Sequence, residues 1–510
     1  MSFSTVLTAA VFGMRAELVY VEADVSNGLP AFHMVGYLSS EVREAAERVQ
    51  TAIRNSGFSY PPKRTVVNLS PATMRKRGAS FDLPVAAAIL LSLGYIKEGM
   101  TKDTLLIGEI GLDGKIRGVQ GILSIVLAAK EAGIKKCLLP KINEAEGMLV
   151  DDIQIIGITS LKEAVEYLNG EKKIQIESHS LKIDNFSEDI VDYAEICGQE
   201  SVKRAVEIAV AGGHNLLIIG SPGSGKTMIA KRIPTILPPL TKEESMEITK
   251  VYSISGMLDQ ENPLIRKRPF RNVHHTATKT ALVGGGVTPM PGEISLAHGG
   301  VLFLDELPEF QKSVLEVLRQ PLEEKKIRIN RVHGNYTFPA DFMLVAAMNP
   351  CPCGCYPDMN RCTCTPYQIQ NYLGKVSQPF LDRIDLCVEA SKVKYEELKT
   401  QGDKKSESSN DIRQRVCRAR ELQKKRYEGS KIKVNAMLDI KGIEAFCKLG
   451  EKEELLLKQA FNNLGLTARM YHKILKVART IADLEDSEKI RTEHIAEAIG
   501  YRTFQKQFWR

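Results

Sequence analysis

The sequence predicts an α/β protein: a parallel-sheet nucleotide-binding core, an α/β domain before it and a helical module after it. Three observations carry that expectation. The apolar run Leu216-Leu217-Ile218-Ile219 leads into Gly220-Ser221-Pro222-Gly223-Ser224-Gly225-Lys226-Thr227, a loop of the form G-x-x-x-x-G-K-[ST]. A second apolar run, Val301-Leu302-Phe303-Leu304, ends in Asp305-Glu306. Residues 191–395 alternate strand and helix signals, and from Asp411 onward the pattern turns helical and basic.

The loop is an anion site because strand, glycine turn and helix N-terminus aim backbone N–H groups and the helix dipole at one point. In such a loop Lys226 reaches the β/γ-phosphates of a nucleoside triphosphate and Thr227 holds Mg²⁺. A chance Gly/Ser-rich turn is the competing reading, and the strand before and helix after argue against it. An apolar strand ending in two acids suits a buried parallel strand that delivers carboxylates to its C-terminal edge. There Asp305 can complete the Mg²⁺ shell and Glu306 can orient the attacking water, which is most of what phosphoryl transfer needs. Phe342 to Met348 reads as another central strand ending at Asn349, whose side chain can hold the lytic water or simply form a turn before Pro350. Arg383 lies in Phe380-Leu381-Asp382-Arg383-Ile384-Asp385. At a subunit boundary it can neutralise charge on a neighbour's γ-phosphate; otherwise it pairs with Asp382 or Asp385. Arg469 starts a helix in the basic module and can fold over the nucleotide.

Composition bounds the rest. The chain has 510 residues, 43% of them hydrophobic, enough for several packed cores. Arg15 and Glu17 interrupt the apolar start, and the longest apolar stretch, Leu83 to Tyr95, is too short to span a membrane. A cytoplasmic protein without membrane contact is expected. Net charge is +7 and is uneven: residues 411–510 hold 22 Lys and Arg against 14 Asp and Glu. A basic module on a near-neutral body suggests a polyanionic partner, with a solvated helical face as the bland alternative. The expected organisation is an α/β domain over 1–170, a linker over 171–190, the core over 191–395, a linker over 396–410 and helices over 411–510. Strands are expected around Glu17 to Ala23 and Thr65 to Leu69, and helices over Ser40 to Asn55 and Leu123 to Ala132.

Longer motifs narrow the reading. The runs R-P-F-R-N-V-H-H-T (Arg268 to Thr276), Gly284-Gly285-Gly286, P-G-E-I-S-L-A-H (Pro291 to His298), V-L-F-L-D-E-L-P-E-F (Val301 to Phe310), L-R-Q-P-L-E (Leu318 to Glu323) and V-A-R-T-I-A-D-L (Val477 to Leu484) are spread along the chain. Together with the phosphate loop they resemble the Mg-chelatase-like AAA+ ATPases of the YifB/ComM type. The resemblance implies a P-loop AAA+ core with an N-terminal Lon-protease-type (S5-like) α/β domain and a C-terminal helical lid. It implies that Asn349 is the sensor-1 residue, Arg383 the arginine finger and Arg469 the sensor-2 arginine. It also implies a homo-oligomeric ring, a hexamer, with ATP sites between subunits.

The N-terminal domain looks disarmed. Lys76-Arg77-Gly78-Ala79-Ser80-Phe81-Asp82 is similar to the segment bearing the Lon-type nucleophile, which puts Ser80 at that position. Where the matching stretch bears the lysine partner, this chain has Leu123. Serine needs an adjacent base and leucine is not one, so no peptidase is expected. A scaffold or nucleic-acid-binding collar is the remaining role, with Lys63, Arg64, Arg75, Lys76 and Arg77 as its positive charge.

Five of the ten cysteines fall between Cys351 and Cys364. Cys351 with Cys353 and Cys362 with Cys364 form two close pairs across a short loop and suit a structural Zn²⁺, with Cys355 as the spare. Uncoordinated thiols are the alternative. Ile327 to Phe338 reads as a hairpin, and in this ATPase class such a hairpin and an insert near Gly284 to Gly286 tend to face the ring pore. Arg328, Arg331 and His333 would then track phosphates of DNA, single-stranded or branched. His274 and His275 are expected on opposite strand faces, so no shared ion is expected between them. The function expected is an ATP- and Mg²⁺-dependent DNA motor: by the family resemblance, a helicase or branch-migration enzyme that helps recombine incoming DNA. The alternative is a chelatase-like ATPase that remodels a protein partner.

Overall fold

The computed structural model describes residues 3–174, 191–331, 334–391 and 407–509. Most of the two expected linkers, and His333, lie outside the described residues.

The N-terminal part is a seven-stranded mixed sheet. Its first two strands, Phe3–Phe12 and Arg15–Ser26, form an antiparallel pair, and Arg64–Ser70 adds on the outer side of the second. The expected strands at 17–23 and 65–69 lie inside these elements. Helix Asp82–Ser92 is buried nearly all round, which fits its apolar composition. The helix expected over 40–55 is broken into Ser40–Arg43 and Ala45–Asn55, and the next runs Ile122–Glu131.

The core holds a five-stranded, all-parallel sheet ordered Phe270–Val273, Val301–Leu304, Met343–Met348, Leu216–Gly220, Leu386–Ala390. Its three central strands are buried on both faces, so they read as continuous apolar runs without alternation. Each of these strands ends at a polar residue or a glycine at the same sheet edge, and that edge carries the candidate site.

Five C-terminal helices, Ser409–Arg426, Ile440–Phe446, Glu451–Leu464, Ala468–Leu484 and Thr492–Phe508, share one apolar core with a face of the parallel sheet, the first and fourth of them packing on helix Glu200–Gly212. Val206, Val416 and Ile474 meet in that core. The opposite face, with Leu217, Leu302 and Leu344, is covered by the hairpin Lys326–Arg331/Gly334–Pro339 and by the helices that follow the cysteine loop. The final residues return to this second core, where the Trp509 indole N–H donates to the Leu373 carbonyl at 3.1 Å.

Candidate nucleotide site and its surroundings

The phosphate loop joins strand Leu216–Gly220 to helix Lys226–Ile236. Gly223 and Gly225 have φ of +77° and +85°, a conformation that only glycine adopts freely. A side chain at Gly220 would meet the Ala390 carbonyl at 2.4 Å. Lys226 lies folded on its own loop: its Nζ donates to the carbonyls of Gly220 (2.7 Å) and Ser221 (3.0 Å) and to Asn349 Oδ1 (3.2 Å). Burial pushes its pKa down against the pull of Asp305 and Glu306. An anion received here would relieve that cost. Thr227 Oγ1 donates to Asp305 Oδ2 at 2.6 Å. Glu306 has φ of +51°, rare for a residue with a side chain, and is 61% exposed. Such local strain is concentrated at functional sites. Lys226, Thr227, Asp305, Glu306 and Asn349 thus converge from three neighbouring strands.

Two residues beside this set were not assigned to it from the sequence. Gln199, at φ +60°, precedes helix Glu200–Gly212 and donates to the Ser224 carbonyl at 3.2 Å and to the Ser391 carbonyl, bracing the loop. His275 Nδ1 lies 3.4 Å from Glu306 Oε2. This corrects the expectation for the histidine pair. Their rings lie 4.1 Å apart on one side, because the strand ends at Val273 and two-residue alternation no longer applies. The signals were present: Gly198-Gln199 before a helix, and two histidines one strand over from Asp305-Glu306.

Arg383 and Arg469 lie elsewhere. Arg383 precedes strand Leu386–Ala390, at the opposite edge of the parallel sheet from the phosphate loop. It pairs with neither Asp382 nor Asp385: Nη2 meets Glu323 Oε1 at 2.6 Å and Nη1 donates to the Pro379 carbonyl at 2.6 Å. Arg469 stands beside it, 3.9 Å from Glu323 and 3.9 Å from Asp382. Arg469 therefore does not fold over the nucleotide loop of its own chain. Its helix packs on Glu200–Gly212, which holds it at the far edge. A groove of about 1670 Å³ there is lined by Glu323, Asp382, Arg383, Asp385, Arg469 and Lys473 among others, and by no residue of Gly220 to Thr227.

A buried ionic cluster fixes this edge. Asp385 takes Lys473 Nζ at 2.7 Å and the Asn215 N–H at 2.8 Å. Burial alone would raise the Asp385 carboxyl, but Lys473, His214 and Arg502 hold it well below the usual carboxylate range. Burial pushes His214 down to about 4 and Lys473 down to about 8, each against the pull of Asp385.

The cysteine loop follows Asn349. The sulfurs of Cys351, Cys353, Cys362 and Cys364 all lie within 4.8 Å of one another. Separations of 3.3, 3.5 and 3.8 Å among the first three lie at or just below the ~3.8 Å expected between thiolates around a tetrahedral zinc. Cys355 turns away, toward the Cys353 carbonyl at 3.7 Å. Against burial, N–H groups of Cys355 and Thr363 bring Cys353 down to about 5. Cys362, despite an N–H from Cys364, is pushed up to about 12 by burial and its sulfur neighbours. Four thiolates this close can coexist only around a cation, and these donors would fit a soft divalent one. Gly354, at φ +76°, lets the loop press on the phosphate loop: a side chain there would lie 2.3 Å from Pro222 Cδ.

The hairpin and the Gly284 insert lie together, with Arg331 Nη2 3.5 Å from where a Gly285 side chain would start. Arg328 and Arg331 are exposed, and Arg328 pairs with Glu324 at 3.3 Å. The N-terminal domain rests on both: Phe12 stacks on Tyr336 at 4.5 Å, and Arg77 donates to the Val287 carbonyl at 2.6 Å. Two residues of the expected basic collar are thereby corrected, while Arg64 stays exposed. Arg77 is engaged and Lys76 is buried with its Nζ on the Pro71 carbonyl, because this segment packs inward. Leu123 is buried among Ala9, Leu105 and Ile107, and its N–H donates to Glu146, which also binds Ser253 of the core. In the C-terminal helices Arg415 meets Glu207 and Glu407, Arg418 meets Asp486, Arg426 and Arg479 share Asp483, and Arg491 meets Glu485. Of these pairs only those of Arg415 draw on acids outside 411–510, so the pairing occupies the arginines without cancelling the module's net charge. Among the described residues no helix is long and apolar enough to cross a membrane.

Comparison with known proteins accounts for nearly the whole chain. The family model "Magnesium chelatase, subunit ChlI" matches residues 192–398, "Subunit ChlI of Mg-chelatase" matches 21–143, and the ChlI C-terminal model matches 406–502. The chain is 44% identical over 506 residues to the competence protein ComM of Haemophilus influenzae, covering 98% of each. It is 42% identical over 506 residues to YifB of Escherichia coli, covering 99% of this chain and 98% of that one. The chain belongs to the Mg-chelatase-like AAA+ family of the ComM and YifB type.

Proposed function

We propose that the chain is a Mg²⁺-dependent ATP hydrolase that assembles into a cytoplasmic hexameric ring and moves on DNA as a helicase or branch-migration motor. Its parts are a Lon-protease-like domain over 1–170, a core over 191–395 and a helical lid over 411–510. The observation that carries the reading is the convergence of Lys226, Thr227, Asp305, Glu306 and Asn349 at one sheet edge, with Arg383 and Arg469 at the other. In this reading residues 220–227 hold the triphosphate, Thr227 and Asp305 hold Mg²⁺, Glu306 and Asn349 handle the water, and both arginines serve the neighbour's site. Cys351, Cys353, Cys362 and Cys364 hold a structural Zn²⁺ beside the loop. In this reading Arg328 and Arg331 face the strand in the pore; His333, expected with them, lies outside the described residues. The competence protein's name supports DNA as the partner.

The test is ATP turnover with and without single-stranded and branched DNA across a salt series. Stimulation that fades as salt rises is expected, because phosphate contacts release counterions. No stimulation and no retention on DNA would leave the second reading, a chelatase-like ATPase that remodels a protein. The intrachain pairing of so many C-terminal arginines favours that alternative.

A further inference from the structure

Glu323 holds both arginines of the far edge. Arg383 is only 11% exposed, with Nη1 on Pro379, Nη2 on Glu323 and a buried Nε that has no partner. Arg469 Nη2 lies 3.9 Å from the same Glu323 oxygen. The backbone beneath is fixed: Asn215 donates to the Arg383 carbonyl at 2.9 Å, and Lys473 and Arg502 donate to that of Ile384 at 2.9 and 2.6 Å. What is free to move is the guanidinium, and Glu323, at 54% exposure, is its solvent-facing partner. Glu323 lies in helix Arg319–Glu324, reached from Asp305-Glu306 by one turn and one short helix.

We propose that Glu323 is a latch. In the unassembled chain its carboxylate occupies the guanidinium of Arg383, and attracts that of Arg469, in the place of a phosphate oxygen from a neighbour's nucleotide. Arrival of that triphosphate displaces the carboxylate and frees the arginines to face it. The inference rests on the reading of Arg383 and Arg469 as groups that serve a second copy. The exchange is chemically even-handed, since carboxylate and phosphate oxygens offer guanidinium the same kind of acceptor. Glu323 faces solvent, so its side of the pair is open to exchange and the more highly charged phosphate wins. The latch opposes assembly with nucleotide, and its cost appears as a higher subunit concentration for activity.

The test follows ATP turnover against subunit concentration, with sedimentation in ATP, for the full chain and for Glu323→Gln, Arg383→Ala and the double variant. Glu323→Gln is expected to reach half-maximal turnover at a roughly two- to tenfold lower subunit concentration with the same plateau. Arg383→Ala is expected to stay near the floor with or without Glu323→Gln. An unchanged or higher half-point for Glu323→Gln overturns the latch, as does a lowered plateau, which would make Glu323 part of the reaction machinery. Full turnover by Arg383→Ala would instead sink the reading of the arginines, and the latch with it. Should Glu323→Gln fail to fold, Glu323→Asp, one methylene shorter, withdraws the carboxylate and must give the same shift.

Discussion

The two edges of the parallel sheet are built on opposite plans. At the C-terminal edge Lys226, Thr227, Asp305, Glu306 and Asn349 converge, with Glu306 exposed and its backbone strained. At the N-terminal edge Asp385 and Lys473 are buried and paired with each other, Arg502 is buried on the Ile384 carbonyl, and the nearly buried Arg383 is held by Glu323. Five residues of strand separate the edges, about 16 Å at the rise of a β-strand. That is too far for Arg383 to reach a phosphate in its own loop. In the proposed reading one edge receives a triphosphate, the other offers cations, and a second copy completes both.

The comparison breaks most readily at Arg383. Arg383→Ala should lower turnover by about 10³-fold with nucleotide binding kept, the range of an arginine finger. Mixing it with Glu306→Gln should restore part of the activity, since some interfaces then join an intact Glu306 to an intact Arg383. No recovery on mixing would place both groups in one chain's site. Glu306→Gln alone should lower turnover by roughly 10²-fold while ATP still binds, measured by single-turnover assay against equilibrium binding.

The buried edge makes its own prediction. His214 is held near 4 in the folded chain, against about 6.5 when unfolded. Between those values the unfolded state binds the extra proton, so stability must fall as pH drops from 7 toward 4. Denaturant unfolding should show His214 costing about 2 kcal/mol between pH 7 and pH 5. A His214→Gln variant should lose that part of the slope. The smallest effect belongs to the cysteine loop. Cys353→Ser with Cys362→Ser should remove bound metal, read by elemental analysis, and lower turnover several-fold more than ATP affinity. Full activity without metal would detach the loop from the site.

How far each edge could be read in advance follows its physics. The phosphate loop, Asp305-Glu306 and Asn349 are local: each is a strand followed by a few residues, and strand periodicity with glycine chemistry marks it in the chain. His275 and Gln199 escaped because their contacts depend on which strands are neighbours, and Phe270–Val273 lies next to Val301–Leu304 only in the folded sheet. Glu323 escaped for the same reason, since it is sixty residues from Arg383 and Asp382 and Asp385 lie closer in sequence. Lys76 was misread as surface charge because a lysine in a basic run is usually solvated, and only packing turned it inward.

The sequence by itself determined the α/β class, the triphosphate loop and its acids, the four clustered thiols and the family, because all of these are written in short runs or long shared motifs. Only the tertiary structure decided that Arg383 and Arg469 stand together at the edge away from their own loop, held by Glu323. Only it decided that the C-terminal arginines are largely paired within the chain. Strand order, helix packing and ion-pair partners are long-range choices, and no local pattern of residues encodes which of several nearby carboxylates a guanidinium will find.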